Sequence, residues 1–354
     1  MSKARPYLFS DSQAGVQHVM SRIIEKRYLL GVEEKEFFVK TMRAYEDVMG
    51  VEVLAYCVMS NHFHMLVRVP HRPEGLEVPL EVVLARLERA VGEEAMALIR
   101  RQISLWERAG LDSAIEEWRL QQVARMFSLS EFVKCVKMRF SRWYNKRTGR
   151  SGPLWESRFT SVMVEEEERA LRTMAAYIDL NPVRAGMVSD PADYRWSSYA
   201  EAMAGKARAR RGLVRIIGQS AWPRESAASA SPWGEEPFTA VVERRALVIY
   251  RAILGGQGAG QKQEDGRVVR RGVSEKVRQR LTTPKERQLR AEVLQQRVRH
   301  FTQGVVFGSR AFINSWFEAN RTFVKGRSQR SRTTGARSLG RPALRGLYSL
   351  RDPQ

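Results

Sequence analysis

The chain has 354 residues, 43% of them hydrophobic, and carries a formal charge of +21 at pH 7 with a pI near 10.5. That apolar share can bury a sizeable core in one or two domains, and no apolar run reaches the roughly 20 residues of a membrane-spanning helix. Two cysteines exclude a disulfide framework and fit core thiols in a reducing, cytoplasmic setting. The positive excess predicts salt-dependent binding to polyanions, with nucleic acid as the leading partner class. It continues into the tail, where residues 321–354 hold nine Lys or Arg against the single acid Asp352.

Residues 1–12 read as a loose leader without a signal-peptide core. Alternation over 15–24 predicts a first strand, with His18 in a structural role. Over 32–48 the apolar residues recur at helical spacing, Glu33 and Glu34 suit the N-terminal dipole, and Gly50 closes the helix. Two β-rich runs, 51–58 and 65–69, flank the tight connection Ser60-Asn61. Residues 71–127 read as an inserted arm of two charged helices, 80–90 and 93–109, serving as a clamp, a dimerisation element or a solvated insert without chemistry. The core resumes with a helix over 131–146 behind Ser128 or Ser130 as N-cap, then a strand over 155–164. Four acids, 165–168, open a further helix, which Pro182 ends by disfavouring the α conformation at Asn181. The order β-α-β-β-α-β-α predicts an α+β fold, a ferredoxin-like split βαβ palm with an extra helix.

Beyond a basic boundary at 204–208 the reading changes. An Ala/Ser-rich linker near 224–232 precedes a helix over 237–254, and the glycines of 255–260 lack the Walker lysine-serine pattern and read as linker. A basic helix over 284–300, a turn region over 301–309 and a helix over 310–324 suggest a helix-turn-helix-like DNA reader or, equally, a small stabilising bundle. The tail from Gly326 is expected to be disordered and drawn to phosphate. The predicted domains are therefore 1–204, with its insertion at 71–127, and a basic, mostly helical 205–354.

Two of the five histidines, His62 and His64, lie on or beside a strand. Strand alternation points both the same way and Phe63 the other, which places two nitrogen ligands together. Alone, the pair also suits a polar strand face. Four residues separate Tyr177 from Asn181, which puts them on one helical face, where each by itself reads as an ordinary tyrosine and a helix terminator. Taken together, two imidazole nitrogens and one amide oxygen suit Mg²⁺ or Mn²⁺ with positions left for phosphate oxygens. The ion would polarise a scissile phosphate while the tyrosine oxygen attacks phosphorus. Tyr144 is the rival nucleophile, beside Asn145 and among Arg139, Arg142, Lys146 and Arg147. Arg139, Arg142, Lys146, Arg158, Arg184, Arg310 and Arg321 are the expected DNA contacts. Trp143, Trp155 and Trp196 could stack on bases or simply fill the core.

The stretch Tyr56-Cys57-Val58-Met59-Ser60-Asn61-His62-Phe63-His64-Met65-Leu66 resembles the signature of the single-tyrosine HUH transposases, in particular the REP-associated tyrosine transposase branch. Further matches are Gly152-Pro153-Leu154-Trp155-Glu156-Ser157-Arg158-Phe159, then Tyr177-Ile178-Asp179-Leu180-Asn181-Pro182-Val183-Arg184-Ala185-Gly186-Met187-Val188, then Tyr194-Arg195-Trp196-Ser197-Ser198-Tyr199. These blocks stand in family order and cover roughly residues 12–200. The resemblance implies that His62, His64 and Asn181 hold the metal and that Tyr177 is the nucleophile. It also implies cleavage and rejoining of single-stranded, hairpin or palindromic DNA in transposition, through a 5′-phosphotyrosine and a free 3′-hydroxyl, by a monomer or homodimer associated with the nucleoid. The arm at 71–127 and everything beyond about 205 depart from a minimal palm. A non-catalytic, domesticated hairpin-binding regulator is the alternative, and a replication initiator or relaxase would show a different motif context.

Overall fold

The computed structural model describes residues 15–223, 238–257, 261–262, 268–270, 301, 304–319, 336–338 and 347–351. Strand β1 (Gly15–Arg22) leads to helix α1 (Val32–Met49), which Gly50 ends in the left-handed conformation at φ 63° that a residue with a Cβ would resist. A hairpin of β2 (Glu52–Val58) and β3 (His62–Val69) follows. The arm is α2 (Leu80–Ala90), α3 (Glu93–Arg108) and α4 (Asp112–Ala124). Then come α5 (Leu129–Thr148), β4 (Thr160–Val164) and α6 (Glu168–Asp179), each helix capped by a side chain, Ser128 on Glu131 N and Glu167 on Ala170 N. A single turn, α7 (Asn181–Arg184), follows Leu180, the C-cap of α6; the long helix ends where expected, but Asn181 is itself helical, and Pro182 sits in the first turn of α7, where its missing N–H leaves no helical bond unmade.

β1 pairs antiparallel with β3 on one side and β4 on the other, and β3 pairs antiparallel with β2. The order β2-β3-β1-β4 is that of a split βαβ palm, and the fold is α+β as expected. Residue parity sorts the core into two layers. Val19, Ile23, Phe63, Met65 and Val67 face α1 and α5, joined by Val83, Leu87 and Met96 of the arm. Val16, Cys57, Leu66, Val162 and Val164 face α6.

Several expectations need correction. The arm holds a third helix, α4, whose mostly polar sequence gives little apolar periodicity and buries only Val123. The strand expected over 155–164 is ladder-paired only from Thr160, and Trp155 makes a single bridge to Ile23, just past the end of β1. Residue 204 is no edge of the core. Helix α8 (Ser198–Met203) is followed by α9 (Ala207–Ile217), which buries Leu213, Val214, Ile216 and Ile217 in the same cluster as Tyr177. There Gly212 lies so close to Leu54 that an added Cβ would stand 2.5 Å from the Leu54 carbonyl oxygen. Helix α10 (Ala240–Gln257) packs on α9 and runs through Gly255 and Gly256, which had read as linker.

The expected turn at 301–309 is instead strand β7 (Gly304–Ser309), parallel to β4, because Val306 and Phe307 can bury between the flanking glycines. It precedes α11 (Arg310–Ala319), and two further strands, β8 (Ala336–Ser338) and β9 (Leu347–Arg351), extend the sheet in the order β7-β9-β8 within the tail expected to be disordered. Their backbones pair with β7 and each other, which satisfies an otherwise open edge. A short ladder, β5 (Gln261–Lys262) with β6 (Val268–Arg270), stands apart. The helix expected over 284–300, the linker over 224–232 and Arg321 lie outside the described residues. Among the described residues, no helix is long and apolar enough to cross a membrane.

Candidate active site at the His62–His64 strand

β3 presents His62 and His64 to the α6 side of the sheet, with ring centroids 5.0 Å apart, and sends Phe63 into the opposite layer. The parity argument from sequence is therefore correct. α6 delivers Tyr177 edge-on to His64, with ring centroids 5.7 Å apart. A third imidazole, which the sequence reading gave only a structural role, joins them: His18 of β1 stacks on His64 at 5.1 Å and meets Tyr177 edge-on at 5.8 Å. Its role was hidden because a lone histidine in an alternating strand gives no sign of which residue of the next strand it will meet.

Hydrogen bonding assigns the protons. Burial lowers the pKa of His18 to about 4, against a weaker opposing bond to Phe301, so the ring is neutral. The Phe301 carbonyl can only accept, so His18 Nδ1 carries the proton at 2.8 Å and Nε2 is an acceptor. His64 Nδ1, 3.0 Å from that Nε2, must then be the donor. His64 is held well below its ordinary value, first by desolvation and then by the charges around it, so its Nε2 keeps a lone pair. A parallel chain fixes His62: Asn61 Nδ2 donates to the Lys26 carbonyl at 2.8 Å, which turns Asn61 Oδ1 towards His62 Nδ1 at 2.6 Å. Desolvation, with Arg22 nearby, lowers His62 to about 4. Both rings are neutral with Nε2 unprotonated, the form in which histidine ligates a metal, and both have an anchored Nδ1–H as ligating histidines do.

Asn181 is not joined to that pair. Its amide donates to the Tyr177 and Ile178 carbonyls at 3.2 Å, and its oxygen accepts from Arg184 at 3.0 Å. Among the described residues no three His, Cys, Asp or Glu side chains are grouped to hold a metal. The fit to a divalent ion is thus two prepared imidazoles and one amide oxygen shared with an arginine.

Tyr177 is 1% exposed. Burial raises its pKa, opposed by the charge and hydrogen bond of Arg184 and by Arg22. The Arg184 guanidinium lies 4.1 Å from the ring centroid and bonds the Tyr177 carbonyl at 2.5 Å. Phe301 stacks on the other side at 4.5 Å. Two residues on, buried Asp179 accepts from Tyr250 Oη at 2.6 Å, Ser198 Oγ at 2.9 Å and Tyr199 N at 3.2 Å, which ties α6 to α8 and α10. Desolvation pushes that carboxyl up to about 6 despite these bonds. The Tyr194–Tyr199 block also lines β2: Tyr194 Oη donates to the Val58 carbonyl, and Tyr56 N to Ser198 Oγ.

No protein-family model and no curated protein matches the chain. Among solved structures it is similar to a REP-associated tyrosine transposase bound to a REP hairpin, at 16% identity and a TM-score of 0.36, over 58% of this chain and 86% of that one. A likeness of that size leaves the function to be argued from the residues themselves.

Tyr144 sits elsewhere. It packs on Phe140 in the α1/α5 layer, across the sheet from both histidines. Three of the expected DNA contacts share its helix: Arg139 lies over the Phe37 ring, Arg142 is exposed, and Lys146 pairs with Glu94 at 2.7 Å. Arg158 and Arg310 are exposed, whereas Arg184 is directed onto Tyr177 and Asn181. Trp143 stacks on Phe37, Trp155 donates to Ser141 Oγ, and Lys35 Nζ lies over Trp196 at 4.4 Å, so all three indoles are engaged in packing.

Proposed function

We propose that the chain is a metal-dependent DNA strand-transfer enzyme of the HUH tyrosine transposase kind, acting on single-stranded or hairpin DNA. The observation that carries this reading is the meeting of Tyr177 with His64, which stands beside His62 in a pair of neutral imidazoles whose Nε2 atoms are prepared as ligands. The four sequence blocks and the charge of +21 support it. His62, His64 and the Asn181 oxygen would hold Mg²⁺ or Mn²⁺, which when bound supplies Lewis-acid polarisation of the scissile phosphate.

The chain's own residues do the rest. Arg184 and Arg22 stabilise the developing phenolate of Tyr177 against the cost of burial. The Tyr177 oxygen bonds to phosphorus and the 3′ oxygen departs, taking up a proton in place of the one the phenol loses. The 5′ phosphate stays on the tyrosine until a 3′-hydroxyl attacks it and restores the phenol. One phosphodiester is exchanged for another, so no ATP is consumed. Substrate must first displace the Phe301 ring, since Tyr177 is covered.

That cover, together with the engagement of Asn181 by Arg184, is what favours a second reading, a hairpin-binding regulator without catalysis. The test incubates the purified chain with labelled single-stranded hairpin oligonucleotides and Mg²⁺ or Mn²⁺ and runs denaturing gels. A covalent adduct is expected, lost in Tyr177→Phe and His62→Ala and kept in Tyr144→Phe. Salt-dependent binding with no adduct under either ion would establish the regulator instead.

A further inference from the structure

The connection between β1 and α1 takes no part in the chemistry above, yet it is built against the same histidines. Tyr28 is 82% exposed, with Lys26 and Arg27 exposed beside it and one acid, Glu25. An aromatic ring this open contributes nothing to the core, and its backbone is far from loose. Ile23 N donates to the Asn61 carbonyl, Ile24 N to Leu154 and Leu30 N to Ser60, each at 2.9 or 3.0 Å, while buried Ile23 and Leu30 anchor the two ends. Glu25 and Lys26 are held at φ 55° and 56°, in the left-handed region that glycine normally occupies. Asn61 binds the Lys26 carbonyl with its amide nitrogen and His62 Nδ1 with its oxygen, so connection and histidine form one hydrogen-bonded unit.

Arg22 continues the array. It lies directly opposite His62 in the β1/β3 register and so on the same face of the sheet, where its charge reaches His62, His64 and Tyr177. Positive charge therefore stands at both ends of this segment, Arg22 on the face of the tyrosine and Lys26 and Arg27 next to the exposed ring of Tyr28.

We infer that Tyr28 is a stacking platform for an unpaired base of the DNA strand held at the histidine pair, with Arg22, Lys26 and Arg27 on the adjoining phosphates. The ligand class rests on the function proposed above. A flexible strand can lay a base on the ring while its neighbouring phosphate reaches the histidines, and a prefixed backbone avoids the ordering cost of binding. A duplex keeps its bases stacked on each other and offers only phosphates.

The experiment measures binding of the full chain to a fluorescent single-stranded oligonucleotide and to the corresponding duplex, in EDTA so that no cleavage occurs, for wild type, Tyr28→Ala and Tyr28→Trp. Tyr28→Ala is expected to weaken single-strand binding by about 5- to 100-fold and to leave duplex binding and the thermal melt unchanged. Tyr28→Trp is expected to retain affinity and to show indole quenching on addition of the single strand. Wild-type affinity in Tyr28→Ala, or equal loss for single strand and duplex, would overturn the inference. If wild type forms the Tyr177 adduct but Tyr28→Ala binds normally, only the platform fails. If binding depends on Tyr28 yet no adduct forms, the platform stands and strand transfer falls.

Discussion

Tyr144 and Tyr177 are both buried helix tyrosines with an asparagine and basic side chains close behind, and they stand on opposite faces of one sheet. Tyr144 stacks on Phe140, which in turn meets Phe37, Trp143 and Trp155, so its surroundings are an aromatic layer. Around Tyr177 they are two imidazoles, a guanidinium and a phenyl ring. What separates a structural tyrosine from a candidate nucleophile is therefore the parity of β1 and β3, which sends every ionisable group of those strands to one side. On the proposed function, the aromatic layer can be repacked at a cost in stability alone, whereas a change in the histidine layer also touches the candidate nucleophile and ligands.

Removing the centre of the aromatic layer should have the largest effect. Phe140→Ala is expected to cost about 3–5 kcal/mol in urea unfolding and to leave adduct yield per folded molecule unchanged. A fall in that normalised yield would show that the two faces are not independent. On the histidine side, Asp179→Asn probes the buried carboxylate. Its folded pKa of about 6 stands above the ordinary 3.8, so the stability it contributes is complete below the lower value and lost as pH rises through the upper one. The stability of wild type relative to Asp179→Asn should accordingly fall by ~3 kcal/mol between about pH 4 and pH 7. A difference that stays flat across that range would mean that burial does not perturb this group. The mildest change is His18→Phe, which keeps a ring in the stack and removes both hydrogen bonds. Mn²⁺ affinity, read from the electron paramagnetic resonance of the free ion, should drop by about 10- to 100-fold. Unchanged affinity would make His18 a packing residue after all.

The palm was legible because its signals are local. A period of two fixes which way His62 and His64 point, and Gly50 and Ser128 mark helix ends through their own chemistry. What the sequence conceals is pairing at a distance. Nothing in 15–24 reveals that His18 will contact His64, and nothing near Phe301 reveals that it will cover Tyr177. The basic stretch 204–208 looks like a linker because its charges are adjacent in sequence. On α9, Leu213, Val214, Ile216 and Ile217 are carried inward, and Arg208 is spent on Asp47 at 2.7 Å. β7 escaped notice because two glycines in six residues read as a turn, although the residues between them are β-prone. In the same way, nothing in the sequence around Asp179 announces the three donors that α8 and α10 bring to it.

The bond between His18 and the Phe301 carbonyl spans 283 positions of chain. During synthesis the amino-terminal sheet and α6 can form on the ribosome long before Phe301 leaves the exit tunnel, since domains fold as their residues emerge. Through that interval the partner that fixes the His18 proton does not yet exist and the Tyr177 ring lacks its cover. The histidine centre is thus among the last parts of the molecule to be completed, and a chain cut short of residue 301 would carry His18 without its carbonyl partner and Tyr177 without the Phe301 ring.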